Sequence, residues 1–276
     1  MRTLNDRVAV VTGAASGIGR ATARALSAAG CRLALVDVQE APLLALAAEL
    51  PGASAHRVDV ADREAMAGLP AQVLAHHGAV HVLVNNAGVT VARPFTAHSL
   101  EDWDWVLGVN LRGVVHGCHF FLPHLLQAEE AHIVNLSSLF GIVAVPGQAA
   151  YCTSKFAVRG LTETLWEELA DTRVGVTVVH PGGINTGIVA NARGDDEEQM
   201  ARLRRFFEKA TQPPERVAQA IVRAILRGER RVRVTREAVV GDWLKRVLPE
   251  LGNQVAVRVM SRAMGLRRPP ALPGPR

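Results

Sequence analysis

Cysteine is scarce. Cys31, Cys118 and Cys152 are the only three in 276 residues, which excludes a disulfide framework, and their spacing matches no zinc site. Aromatic residues make up 4% of the chain, with a single tyrosine, Tyr151. Lysine is nearly absent: of 31 basic residues only Lys155, Lys209 and Lys245 are lysines. No run of about 18 uncharged apolar residues occurs, so no membrane span is expected. The N-terminus, MRTLNDRVAVV, lacks a signal-peptide core and cleavage site, and a cytoplasmic protein is expected. A composition 49% hydrophobic and 21% charged excludes a disordered chain.

The net charge of +5 is unevenly spread. Residues 1–201 carry 13 Lys+Arg against 20 Asp+Glu, whereas residues 202–276 carry 18 against 6. A basic C-terminal quarter suits nucleic acid, anionic lipid or an acidic partner. Only Phe206, Phe207 and Trp243 accompany its arginines, and no nucleic-acid-binding motif is present. The quarter is therefore read as structural or solvated, with no nucleic-acid or lipid partner.

Short β-branched runs alternate with Ala/Leu-rich stretches of helical period. Strands are expected at 7–12, 31–37, 54–59, 81–86, 132–137 and 173–181, and helices near 17–29, 40–50, 62–77, 99–127 and 148–171. Several strands are apolar almost throughout, as a parallel sheet covered on both faces requires. The expected fold is a single α/β domain, a doubly wound Rossmann sheet of seven mostly parallel strands with helices on both faces. It spans 1–265, and LRRPPALPGPR (266–276) forms a flexible tail.

The first strand runs into TGAASGIG at 12–19. Gly13, Gly17 and Gly19 allow a tight turn, close backbone approach to a pyrophosphate, and close helix–strand packing. The N–H groups of a helix N-terminus then face the phosphates. Asp37 ends the second strand 18 residues after Gly19, where its carboxylate can accept ribose hydroxyls and repel a 2′-phosphate. NAD is favoured over NADP.

Tyr151 precedes Lys155 by four residues, so in a helix the two share a face. An unperturbed phenol titrates near 10, and a neighbouring ammonium favours its ionised form, suiting the pair to move a proton to and from an alcohol oxygen. Ser138 lies just past a strand end, 13 residues before Tyr151, where its hydroxyl could bind the same oxygen.

Together these motifs resemble the short-chain dehydrogenase/reductase (SDR) family over about residues 5–235. The family's glycine loop matches TGAASGIG, with Ser16 and Ile18 among its cofactor contacts. Its adenine-contacting pair matches Asp59 and Val60, and its NNAG matches Asn85, Asn86, Ala87 and Gly88. The relay asparagine falls on Asn110, the substrate serine on Ser138, and YxxxK on Tyr151 and Lys155. The PG-x-I-x-T segment falls on Pro181, Gly182, Ile184 and Thr186. Two departures are an extra glycine, Gly183, and about forty residues beyond the usual end of the fold.

The resemblance implies hydride transfer between NAD(H) and a secondary alcohol or ketone. Tyr151 would be general acid/base, Ser138 would orient the oxygen, and Lys155 would lower the tyrosine pKa and bind the nicotinamide ribose. Asn110 would hold a water linking Lys155 to solvent, and Thr186 and Ile184 would hold the carboxamide. It also implies a substrate lid over 185–212, flanked by Gly187 and Gly194, a C-terminal extension over 236–265, and a homotetramer or dimer through the helices at 99–127 and 148–171. The pocket-forming stretches are Leu139–Pro146, Val89–Phe95 and the lid. Phe140, Ile142, Val143, Val145, Gly183, Ile188 and Val189 make them largely apolar, and Arg93 is the one cation before the lid. An apolar secondary alcohol or ketone is the expected substrate. A 3-oxoacyl thioester reductase and a non-catalytic NAD-binding regulator are the alternatives. No metal site is expected: His116, His119 and His124 have no completing ligands. Cys152 is read as a packed thiol, Asp195–Glu198 as complementing a helix N-terminus, and Trp103 and Trp105 are given no role.

Overall fold

A computed structural model describes residues 1–184, 192–193, 201 and 212–264. Its centre is β1 (Val8–Thr12), in which every side chain is buried. Alternation sends Ala9 and Val11 to one face of the sheet and Val8 and Val10 to the other. The first face packs on α1 (Gly17–Ala28), α2 (Glu40–Glu49) and α7 (Pro214–Arg227), through Leu26, Leu43, Leu46, Ile221 and Ile225. The second packs on α3 (Arg63–His77), α5 (Gly113–Leu125) and α6 (Ala149–Glu168), through Met66, Leu69, Phe121, Val158 and Leu165. Completing the sheet are β2 (Arg32–Asp37), β3 (Ser54–Arg57), β4 (Val82–Asn85), β5 (Ala131–Leu136), β6 (Val174–His180) and β7 (Arg231–Arg233).

The spatial order is β3-β2-β1-β4-β5-β6-β7, and each neighbouring pair is parallel. The order reverses between β1 and β4, which opens a crevice at their carboxyl ends, the usual ligand position in such sheets. Helix ends follow local chemistry. Asp62 caps α3 by accepting from the amides of Glu64 and Ala65 at 2.9 and 3.0 Å, and Gly78 ends that helix in the left-handed region at φ +78°.

Three features fill in or refine the expectation. The seventh strand is β7, whose RVR pattern buries only Val232 and hides its strand character under charge. The long helix at 99–127 divides into α4 (Leu100–Leu107), a π turn (Gly108–Arg112) and α5, preceded by a 3₁₀ turn at Phe95–Ala97. Beyond β7 the chain forms α8 (Arg236–Val247) and α9 (Pro249–Met264), which pack on each other beside the 3₁₀ turn Leu139–Gly141. The expected tail, 266–276, lies outside the described residues.

Candidate active site

The glycine loop links β1 to α1, with Gly13 at φ +64° and Gly17 at φ +49°. A Cβ on Gly19 would stand 2.0 Å from the Gly13 carbonyl oxygen, so only glycine permits this turn. Ser16 is the exposed N-cap residue of α1, and its side chain makes no capping bond, leaving first-turn amides at the crevice. Ile18 is half-buried beside it. At the end of β2 the Asp37 carboxylate accepts from the Ala15 and Gln39 amides, both at 2.9 Å, and so ties the loop to its neighbouring strand. Asp59 accepts from the Ala61 amide at 2.9 Å, and the Val60 carbonyl accepts from His116 Nδ1 at 2.9 Å.

Asn86, Ala87 and Gly88 follow β4 and are laced to the glycine loop by Thr12, the first residue of its motif, to which sequence reading gave no role of its own. Thr12 Oγ1 accepts from the Asn86 and Ala87 amides at 3.0 and 3.1 Å, and Asn86 Nδ2 donates to the Thr12 carbonyl at 2.9 Å. Asn85 itself is buried and donates to Asn135 Oδ1 at 2.9 Å. Asn110 sits in the π turn, fully buried. Its Oδ1 accepts from the Val89 amide at 2.8 Å, and its Nδ2 donates to the Val89 carbonyl at 2.9 Å and to Ser154 Oγ at 3.0 Å. The π turn therefore rotates this amide against the strand-end loop and against α6 together.

Ser138 begins the 3₁₀ turn after β5, and its Oγ accepts from the Phe140 amide at 3.1 Å. Ser138 also lies near enough to the Tyr151 phenol to oppose the effect of its burial. On the next turn of α6, Lys155 Nζ donates to the Leu136 carbonyl at 2.9 Å and stands 5.7 Å from the Tyr151 ring centroid. A Cβ on Gly88 would meet Asn110 Oδ1 at 3.4 Å and Lys155 Nζ at 3.6 Å, so all four expected catalytic residues converge on one end of the sheet.

Burial dominates the electrostatics of the pair. Burial pushes the Tyr151 phenol up to about 12, with only partial relief from Ser138. Burial also pulls Lys155 down to about 8. The ammonium is itself desolvated and bound to the Leu136 carbonyl. His180 is likewise pulled down, to about 4, chiefly by burial. Neutral at physiological pH, it donates from Nδ1 to the Ser138 carbonyl at 3.0 Å. Only its place before Pro181 and Gly182 hinted at such support.

An apolar cluster of Leu139, Phe140, Ile142, Val143, Val145 and Cys152 lies beside Tyr151, with the Phe140 and Tyr151 rings edge to face at 6.2 Å. Cys152 is buried and its thiol is pushed up to about 11, as befits a packed thiol. Arg93 pairs with buried Asp102 at 2.7 Å, which neutralises the nearby cation. Lys245 of α8 donates to the Ile142 carbonyl at 2.7 Å. Pro181 and Ile184 are buried and Gly183 half-buried, while a Cβ on Gly182 would fall 2.1 Å from Thr235 Oγ1. Arg193 stacks 3.8 Å over Trp105, giving that tryptophan a partner. Thr186, Gly187, Ile188, Val189, Gly194, the acidic run Asp195–Glu198, Phe206 and Phe207 lie outside the described residues.

Comparison with known proteins agrees with this geometry. A family model described as short chain dehydrogenase matches residues 7–197. The chain belongs to the short chain dehydrogenase family. This dehydrogenase is 43% identical over 256 residues to SadH of Mycobacterium tuberculosis, named as an oxidoreductase, covering 90% of this chain and 93% of that one. It is 35% identical over 223 residues to the 3-oxoacyl-acyl-carrier-protein reductase FabG of Thermotoga maritima, covering 79% and 90%. A short chain dehydrogenase/reductase from Burkholderia phymatum, solved in complex with NAD, superposes with a TM-score of 0.85 at 33% identity, covering 91% of this chain and 96% of the other.

Proposed function

We propose that this dehydrogenase transfers hydride between NAD(H) and an apolar secondary alcohol or ketone. The observation that carries the substrate reading is the uncharged cluster Leu139–Val145 packed against Tyr151, with Arg93 already paired to Asp102. Such a surface binds through area and shape, each buried methylene contributing roughly 0.8 kcal/mol. It offers few groups with which to hold a polyol.

The crevice fits the cofactor. Glycine-only close approaches at Gly13 and Gly19, the left-handed backbone of Gly17, the amides at the start of α1, and the Asp37 carboxylate would take the pyrophosphate and ribose. Asp59 and Val60 would border the adenine, and Asn86, Ala87, Gly88, Pro181, Gly182, Ile184 and Thr186 the nicotinamide half. Bound NAD(H) supplies the hydride acceptor or donor. Tyr151 exchanges the proton at the substrate oxygen and Ser138 orients that oxygen. Lys155 holds the nicotinamide ribose, and Asn110 fixes the Val89 loop and the proton path behind Lys155. The positive ring of bound oxidised NAD would favour the phenolate and so lower the pKa of Tyr151, the direction general-base work requires. Self-assembly into a dimer or tetramer through α4, α5 and α6 is part of the same reading.

A 3-oxoacyl thioester reductase is the second reading, favoured by the identity to FabG. Both are tested by following NADH absorbance with apolar ketones, matched polyols, hydroxy acids and 3-oxoacyl thioesters. The proposal expects the highest kcat/KM among apolar ketones or alcohols. A polyol, hydroxy acid or thioester exceeding every apolar member would refute it.

A further inference from the structure

Of the fifteen large apolar side chains exposed among the described residues, eight lie between Val239 and Val259, on α8, α9 and the residue joining them. On α8, Val239, Val240, Trp243 and Val247 fall within an arc of about 100° at 3.6 residues per turn. Trp243 is 60% exposed. On the second helix Leu251, Val255 and Val259 fall within a similar arc, with Leu248 extending its line backward, and Leu251 is 58% exposed. The helices are packed closely enough that a Cβ on Gly252 would lie 2.4 Å from the Leu244 carbonyl oxygen. Their apolar stripes thus lie on one helix pair.

The opposite side of the pair is engaged with the protein. Gly241 faces Leu139 and Val143, where an added Cβ would meet side-chain atoms at 3.3 and 3.4 Å. Ala256 and Val257 pack on the same apolar cluster that flanks Tyr151. The exposed stripe is therefore about one helix diameter from the active site wall.

The charges on the stripe are of one sign. Arg236 and Arg262 fall inside the two arcs and Arg258 borders one, all three exposed, while Glu237 and Glu250 project outside them. These arginines differ from Arg231, Arg233 and Arg246, which pair with buried Asp242 at 3.5, 3.0 and 3.1 Å. The expectation of a structural basic quarter fits that second group, and also Arg223 and Arg230, which pair with Glu229 and Glu167 at 3.0 and 3.3 Å. An apolar face with a tryptophan and interspersed arginines matches an interfacial helix. A two-fold copy of the same face would set arginine against arginine, whereas phosphate headgroups complement it.

We infer that α8 and α9 dock this enzyme on an anionic phospholipid surface, with Trp243 and Leu251 entering the headgroup–acyl boundary. The binding claim does not rest on the substrate reading above. It is tested with the purified full chain by flotation with phosphatidylglycerol/phosphatidylcholine vesicles and with pure phosphatidylcholine vesicles at about physiological salt. At about fivefold per arginine, three arginines give on the order of 100-fold tighter binding to the anionic vesicles. Leu251→Glu with Val255→Glu should abolish flotation while preserving the melting temperature and turnover of a water-soluble ketone. Arg258→Glu with Arg262→Glu should weaken it by at least about 25-fold. Absence of binding to the anionic vesicles, or binding unchanged in both variants, overturns the inference. So does light scattering that shows an oligomer which the Leu251→Glu/Val255→Glu variant dissociates, because the face would then be covered by a second copy.

Discussion

Gly141→Ala separates the demands of the site from those of the fold, because α6 carries an internal control. A Cβ on Gly141 would lie 2.2 Å from Ser137 Oγ and 2.7 Å from the Lys155 carbonyl oxygen. Those two atoms already share a hydrogen bond of 2.8 Å that clamps the strand end to α6. Ser137 could rotate, but the Lys155 carbonyl is helix backbone. An ordinary contact begins at 3.4 Å, so the 3₁₀ turn and the helix must separate by about 0.7 Å. The turn carries Ser138 and the helix carries Tyr151 and Lys155, so the separation falls between the groups proposed to hold one oxygen atom. Overpacking against backbone should cost about 1–3 kcal/mol. Misplacement of about 0.7 Å should lower kcat by on the order of 10–10²-fold, with cofactor affinity little changed. Gly160, on the same helix, is exposed and has no atom within 4 Å of an added Cβ. Gly160→Ala should therefore stabilise by about 0.5–1 kcal/mol and leave kcat alone. Urea melts and steady-state kinetics on both variants decide the matter. A Gly141→Ala enzyme with wild-type stability and kcat within threefold of wild type would refute the reasoning.

Asp37→Ser with Val38→Arg should shift cofactor preference toward NADP(H), since the carboxylate goes and half-exposed Val38 has room for a guanidinium. Overall kcat/KM should also fall, because Asp37 holds the Ala15 amide. A wild-type preference for NADPH would contradict the assignment. Burial opposes the Asp242 charge, but Arg246, Arg231 and Arg233 outweigh it and hold the carboxyl below its usual range. Its stabilising effect is thus present above the unfolded carboxylate pKa and is lost as pH falls through the lower folded value. Asp242→Asn should cost about 2–3 kcal/mol at pH 7, discounted from the 3–5 of a fully buried pair because Arg246 is 57% exposed. The difference from wild type should shrink below about pH 4; a pH-independent difference would exclude the ionic origin.

Much of this was legible because each chemical demand leaves a compact trace in the sequence. The glycine loop announces itself where a β-branched run meets TGAASGIG, and the sole tyrosine with a rare lysine four residues on marks the proton-transfer pair. Convergence across the sheet also followed, since every expected site residue among those described, apart from Asn110 in the π turn, lies at or beyond a strand's carboxyl end or on α6. What escaped was tertiary. β7 buries one side chain between two arginines, so its period is unreadable. The π turn at Asn110 depends on bonds to Val89 and Ser154 from distant segments. Thr12 opens the glycine motif, but its bonds to the Asn86 and Ala87 amides join segments far apart in sequence, and His180 acts on a backbone carbonyl, which no motif records. The spacing of Tyr151 and Lys155 does not report desolvation, which pushes the phenol up and the ammonium down. In α8 and α9 the apolar residues have helical period, yet only the structure tells which side is covered.

The most direct measurement is the turnover of Tyr151→Phe with its NADH affinity determined alongside by fluorescence titration. Removing the proton donor while leaving the ring against Phe140 should lower kcat/KM for an apolar ketone by about 10²–10⁴-fold. NADH affinity should stay within about threefold, since Lys155 and the glycine loop are untouched. Near-wild-type kcat/KM at neutral pH would contradict the account.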